Sequence, residues 1–297
     1  LTPTAYNNGE ALCIKPDDAS GDFQFSRNSA ATRVNAQGLV ENVQILSSNL
    51  VQNPSFSEEG VQEVSNGSFS QEGSELITNG DFATDSNWAK NPNWTISGGT
   101  ANCDGTSDGS FFQGSVIQDS KQYLVTYTIS NLTQGGLRVQ LSGTQGVLRT
   151  LNGTYTEYIT SGSNPSGRVS FDCSSSPIGS IDNVSVREVG QDWTLETGWS
   201  IGEDKAIQDG TGSGNNGDIY QDLGLDTNKT YKIVLEVADY TQGTLYIDTN
   251  NTDLNINSVG TYTLYFSPLS SFLYIRTRFS GFIGSITNIS VKEVGMD

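Results

Sequence analysis

The chain contains no histidine, only 7 prolines, 3 cysteines and 1 methionine among its 297 residues. Without histidine there is no Ser-His-Asp triad and no imidazole-ligated metal site. Three cysteines cannot all pair, and Cys103 and Cys173 fall in one repeat without counterparts in the other, so buried free thiols are expected in preference to a disulfide between them. Basic residues are scarce: 15 Lys and Arg stand against 33 Asp and Glu, a formal net charge of −18. Such a surface repels phosphate backbones, which excludes nucleic acid as a partner, and it keeps the chain soluble. No apolar run approaches the length that spans a bilayer, so membrane insertion is not expected, and no run carries helical periodicity beyond about one turn. No glycine-rich phosphate loop follows a strand and opens a helix.

What is present is repetition. Ser180-Ile181-Asp182-Asn183-Val184-Ser185-Val186-Arg187-Glu188-Val189-Gly190 returns 105 residues later as Ser285–Gly295, with eight of eleven positions identical. A strand that recurs at this distance closes a duplicated module. Its apolar alternation slips by one between Ile181 and Val184, which predicts a bulge. Trp88 and Trp94 map onto Trp193 and Trp199 by the same shift, and Tyr123 and Thr133-Gln134-Gly135 map onto Tyr231 and Thr241-Gln242-Gly243 by 108. With 33 glycines and a dense scatter of Asn, Ser and Thr, the fold class is all-β: two tandem β-sandwich (jelly-roll) modules, residues 76–190 and 191–297, behind a small β-rich N-terminal adaptor, residues 1–49. In the adaptor, Asp22–Arg27 reads as a strand and Thr32–Glu41 as a hairpin with Gly38 at the turn. So small a unit is not expected to stand alone and should fold against a partner.

Residues 50–75 hold a shorter repeat. Asn53-Pro54-Ser55-Phe56, Asn66-Gly67-Ser68-Phe69 and Asn79-Gly80-Asp81-Phe82 are spaced by 13. Only the third is followed directly by a module. The first two read as start strands without bodies, forming a connector or adding as edge strands to a neighbour. The second module accordingly reads as lacking an opening motif. Because Gly190 runs almost directly into Trp193, a short, stiff, end-to-end junction is expected.

Two resemblances follow. The run Asp22–Glu41, with its Arg-Asn-Ser-Ala-Ala-Thr-Arg-Val-Asn core, resembles a segment near the start of bacteriophage fibre, tail and head-decoration proteins. It implies a virion surface protein, self-assembled as a homo-oligomer (a trimer, by likeness to fibres) and joined to other virion proteins. The opening Leu76–Phe82 with Trp88 and Trp94, and the closing Ser180–Val186, resemble jelly-roll carbohydrate-binding modules. This second likeness implies contact with cell-surface polysaccharide, and equally suits a secreted bacterial adhesin or accessory module. It also implies a structural Ca²⁺ in module 1, for which Asp81 and Asp182 are candidate ligands. Ala83 departs from the acidic residue that the family places after the Phe, and both Asp residues serve equally well as turn formers.

No catalytic residues are assigned. The carboxylates open to a glycosidase reading, Glu157 and Asp182, map onto Leu264 and Thr287, so the chain is read as non-enzymatic. Trp88, Trp94, Trp193 and Trp199 occupy equivalent positions and are assigned to the core rather than to sugar stacking. Aromatics that differ between the copies are better glycan candidates: Tyr240, Tyr246 and Tyr274, with Tyr127 and Tyr158 as strand residues of undetermined face.

Overall fold

The computed structural model describes residues 6–7, 10–11, 32–34, 37–38, 40–42, 58–164, 166–212, 217–247, 254–277 and 281–295. The chain divides into two compact units, residues 1–52 and 53–297.

In the first unit, β1 (Tyr6–Asn7) pairs with β2 (Glu10–Ala11). The expected hairpin is present: β3 (Thr32–Val34) and β4 (Val40–Asn42) are antiparallel, with Gly38 at φ 78° in the turn. The strand expected at 22–27, and Cys13, lie outside the described residues.

The second unit is all-β, with no helix among the described residues, and its two modules have separate hydrophobic cores. Module 1 is built on two long strands, β10 (Gln122–Leu141) and β13 (Val169–Val189), which run antiparallel along their whole length. The pair forms the spine of both layers. One half carries β7 (Trp94–Ser97), β8 (Thr100–Asp104) and β12 (Gly153–Thr160). The other carries β6 (Ala89–Lys90), β9 (Ser110–Gln113) and β11 (Thr144–Gln145). Register shifts between Ser130 and Gly136, with Gly135 at φ 66° and Ser175 and Ser176 also at positive φ, bend the ladder between its two halves. The sequence placed loops here; the ladder instead runs through. Val125, Tyr127 and Ile129 from one half then meet Leu137, Val139 and Leu141 from the other in one core.

Module 2 repeats the plan with its spine interrupted. One layer is β15 (Trp199–Gly202), β16 (Lys205–Asp209), β23 (Ile283–Val294), β18 (Thr230–Gln242) and β21 (Gly260–Phe266). The other is β14 (Thr194–Leu195), β17 (Asp218–Asp222), β22 (Phe272–Arg276), β19 (Leu245–Ile247) and β20 (Leu254–Ile256).

The bulge read from the closing strand is present in both copies. Asn183 and Asn288 sit at φ 53° and 52°, and the ladder slips by one residue beside each. The conformation suits asparagine, which tolerates the left-handed region better than most residues.

Residues 59–69 follow the edge-strand reading of the repeat rather than the connector reading, and they overturn the expectation of a second module without an opening motif. β5 (Glu59–Gln62) adds to β23, with Glu59 opposite Val294. Val64 and Phe69 belong to the core of module 2, where the Phe69 and Trp193 rings lie 5.2 Å apart and the Trp193 indole donates to the Asn66 carbonyl at 3.1 Å. Module 1 does the same 13 residues later: Phe82 packs on Trp88 at 5.4 Å, and the Trp88 indole donates to Asn79 O at 3.0 Å. In each case the motif's carbonyl accepts from the bulge, Val184 N to Gly80 O and Ile289 N to Gly67 O, both at 2.9 Å. Each motif is also gripped by a buried amide: Gln113 holds the Thr78 main chain and Gln221 that of Ser65, both through N–H and C=O. Module 2 is therefore discontinuous in sequence. Its opening strand comes first, module 1 is inserted, and its body follows.

The two modules meet end to end through a buried contact. Gln122 of module 1 bonds both main-chain groups of Ile201, Gly190 sits so close to Ile201 that a Cβ there would approach it to 2.7 Å, and Leu124 packs on the module 2 core.

Candidate functional site

In a strand, alternate side chains leave the core, so the five-stranded layer of module 2 has one face turned outward. Along β17, Ile219 and Gln221 are buried and Tyr220 is half-buried; along β22, Leu273 and Ile275 are buried while Phe272, Tyr274 and Arg276 are not. Register brings these outer residues together. Tyr220 stands opposite Tyr274, and Arg276 opposite Tyr246 of β19. The rings of Tyr220 and Tyr274 are 5.1 Å apart, those of Phe272 and Tyr274 5.6 Å, and the Arg276 guanidinium lies 4.4 Å over the Tyr274 ring. Arg276 is also paired at 3.0 Å with the buried Asp218 carboxylate, which fixes the charged end of the row. The result is a partly exposed strip, a row of aromatic residues across three strands, with the Asp218–Arg276 ion pair on the same face at one end.

The equivalent face of module 1 has the same register and different chemistry. Phe112 stands opposite Ser170, and Arg138 opposite Asp172. Serine thus replaces Tyr274, arginine replaces Tyr246 and aspartate replaces Arg276. Burial pushes the Asp172 carboxyl up, against the pull of Arg138 and Arg168. A cavity of about 270 Å³ opens beside Arg138, Asp172 and Asn91. The module 2 face carries a row of rings with one ion pair, whereas the module 1 face keeps a single ring, Phe112, with the Arg168 guanidinium 4.4 Å over it, beside the Arg138 and Asp172 charges.

Tyr246 and Tyr274, two candidates chosen because they differ between copies, lie together on this strip. The others do not join them. Tyr240 packs on Phe282 at 6.1 Å and donates to the Gly243 carbonyl. Tyr158 is 37% exposed and lies near Gly202 at the junction. Tyr127 is fully buried in module 1, so it is a core residue that reaches no solvent; it donates to Glu157 at 2.7 Å, and burial followed by that carboxylate pushes its hydroxyl up. Glu157 is itself buried, accepting also from Arg149 and from Val147 N, so that it secures the loop leading into β12. Tyr220, Phe272 and Arg276 were missed. Tyr220 maps onto another aromatic, Phe112, so difference between the copies does not select it, and cross-strand register alone brings all three to the strip.

Trp88, Trp94, Trp193 and Trp199 are all buried, and each indole donates to a main-chain carbonyl. Cys103 and Cys173 are free and buried; the contact with Cys173, and burial, hold the Cys103 thiol protonated. The Asp81 and Asp182 carboxylates accept from the Ala83 and Asn183 N–H groups of their own turns, and among the described residues no three His, Cys, Asp or Glu side chains converge.

No protein-family model matches the sequence, and no curated protein matches it. Among solved structures, the chain is similar to the tandem CBM22-1–CBM22-2 domain of Paenibacillus barcinonensis Xyn10C (10% identity, 75% of this chain and 98% of that one, TM-score 0.28). A fucolectin from striped bass serum, Morone saxatilis, aligns at 9% identity over 81% of this chain and 100% of the other, with a TM-score of 0.24. The major capsid protein P2 of bacteriophage PM2 aligns at 10% identity over 70% and 97%, with a TM-score of 0.18. At these scores the alignments carry no argument about function. The all-β, two-module sandwich architecture stands on the strands and their pairing.

Proposed function

We propose that the chain is a non-enzymatic structural component of a phage virion, a fibre or decoration protein, whose second module contacts surface polysaccharide through the Tyr246–Tyr274–Tyr220 strip. The observation that carries the glycan step is the divergence of two faces otherwise identical in register. A core position tends to keep its chemistry when a module is duplicated, whereas these outer positions have become a row of half-exposed rings with one guanidinium. Ring faces offer flat apolar area to the C–H groups of a sugar, and the adjacent charge and hydroxyls supply orientation. The virion step rests on the Asp22–Glu41 resemblance. A secreted adhesin shares the glycan step and differs from this reading only there.

The test is binding of the 297-residue protein to a bacterial polysaccharide array, with Tyr274→Ala beside it. Specific binding that drops by about tenfold or more, a loss of ~1.4 kcal/mol, supports the strip as the contact. Binding unchanged by the substitution moves the site elsewhere, and no binding to any polysaccharide leaves the modules as spacers. Antibody labelling of intact phage particles decides between virion and secreted protein.

A further inference from the structure

Two sulfurs in the core of module 1 are nucleophilic groups that a glycan contact leaves unused. Cys103 lies on β8 and Cys173 on β13, and both are buried and free. They belong to different halves of the spine. Cys103 is opposite Gly179 and Cys173 opposite Leu137, with Ser175 and Ser176 at positive φ between them. Their side chains nevertheless meet. We infer that they form a peroxide-responsive redox pair, in which Cys173 is oxidised first and Cys103 then closes a disulfide across the two layers of module 1.

Module 2 shows what the same positions do when their role is structural. The 105-residue shift that carries Asp104 onto Asp209 sets Cys103 on Gln208, and the register that sets Asp172 on Arg276 sets Cys173 on Thr277. Both replacements are buried and bonded to main chain. Gln208 donates to the Thr197 carbonyl and accepts from Gly210 N, each at 3.1 Å, and the Thr277 hydroxyl lies 3.0 and 2.9 Å from the Gly212 and Gly217 carbonyls. Module 1 gives up that grip at both positions and places two sulfurs in contact instead.

The pair is polarised. The Cys103 thiol donates to the Gly179 carbonyl at 3.3 Å, which keeps its proton in place. Cys173 is on the accepting side: the buried Asn93 amide points its N–H groups at the Ser107 carbonyl, at 3.0 Å, and at the Cys173 sulfur, at 3.6 Å. That orientation leaves Asn93 Oδ1 buried without a partner, a cost the molecule carries to present a donor to the sulfur. The contact with Cys103, helped by the Asn93 amide, outweighs burial and holds the Cys173 thiol below its usual range. A thiol with more thiolate character is the one that attacks.

Access falls on the same residue. Cys173 lines the cavity of about 270 Å³ that opens beside Arg138 and Asp172, whereas Cys103 does not line it. A hydroperoxide is small enough to enter. The Cys173 thiolate attacks one peroxide oxygen, the O–O bond breaks, and the other oxygen leaves as water or an alcohol after taking a proton, which gives a sulfenic acid. The Cys103 sulfur then attacks the sulfenic sulfur, the S–O bond breaks, and the hydroxide leaves as water with the Cys103 proton. Two thiols are oxidised to one disulfide and one peroxide is reduced.

The test exposes the folded 297-residue protein, carrying Cys13→Ser to remove the third thiol, to hydrogen peroxide, then unfolds it in urea with N-ethylmaleimide and weighs it. The expected product is ~2 Da lighter, takes no maleimide, joins the Cys103 and Cys173 peptides, and regains both thiols in dithiothreitol. Cys103→Ser should stop at the sulfenic acid, so that dimedone labels Cys173, while Cys173→Ser should leave Cys103 unlabelled. Two maleimides on the peroxide-treated protein, a crosslink that forms only when the peroxide is added in urea, or dimedone on Cys103 in the Cys173→Ser variant each overturns the pair. The weighing needs neither serine variant, so it decides the question even where a serine at one of these buried positions prevents folding.

Discussion

The side-chain amide of Gln122 is bound to the main chain of Ile201 on both sides, donating through Nε2 to the carbonyl at 2.8 Å and accepting the N–H through Oε1 at 2.6 Å. Both groups are buried, so this one glutamine satisfies two backbone atoms of the neighbouring module. Gln122→Ala leaves both unpaired, at a cost of about 1–3 kcal/mol for a buried donor or acceptor left without a partner. The expected outcome in urea denaturation is a loss of that size, with the transitions of the two modules separating as the junction loosens.

Gly67→Ala tests the discontinuity of module 2. A Cβ at that position meets the Ile289 carbonyl at 2.0 Å, which must displace the opening strand at a cost of about 1–3 kcal/mol, the usual range for overpacking. Residue 67 precedes module 1 in sequence, yet the loss should appear in the fluorescence of Trp193 and Trp199. Gly80→Ala should affect Trp88 and Trp94 instead. Each single-tryptophan-pair background (Trp to Phe in the other module) separates the two signals, and a Gly67→Ala effect confined to Trp88 and Trp94 would refute the nested arrangement.

The bulge, the equivalent tryptophans, the short junction and the two closing strands were legible in the sequence because each is a local pattern, repeated at one shift. Ownership of the opening strands was not. Gly67 bonds Ile289 across more than two hundred residues, and a motif repeated every 13 residues reads as an array whatever body each copy joins. Alternation placed Tyr127 on a strand but could not say which face was the core, because its buried hydroxyl is satisfied by Glu157, thirty residues away in sequence. The aromatic strip was half legible. Difference between copies picked out Tyr246 and Tyr274, while Tyr220 and Phe272 join them only through cross-strand register.

Glu75 supplies a pH dependence that module 2 lacks at the same place. It accepts from Val186 N at 3.0 Å, as Gln62 accepts from Val291 N at 2.8 Å. Burial pushes the Glu75 carboxyl up, but the Ser185 hydroxyl, the Val186 and Ile77 N–H groups and Arg187 outweigh it and hold the group below the usual carboxylate range. Its contribution to stability is therefore complete above the ordinary glutamate pKa and is lost as pH falls through the lowered one. Acid titration of the module 1 tryptophan signal should show this loss, and Glu75→Gln, which reproduces the neutral clamp of Gln62, should flatten it. An identical acid profile in the variant would remove Glu75 from the account.

Arg276→Ala separates the strip's charge from its rings. The substitution takes the guanidinium from the buried Asp218 carboxylate, so the variant should lose stability, by up to the ~3–5 kcal/mol of a broken buried pair. Arg276→Met with Asp218→Asn should recover most of it, measured by thermal melting of module 2.

Inserting one module inside the sequence of another also sets an order of assembly. Phe69 and Trp193 are far apart along an unfolded chain, and closing so long a loop is entropically costly. Once module 1 has folded, Gly73 N is bonded to Glu188 O at 2.8 Å, so the two ends of the insert already lie side by side. Module 1 then acts as a clasp that brings the halves of its neighbour together, and on a ribosome the opening strand of module 2 must wait, unpaired, through the synthesis of an entire domain before its body arrives.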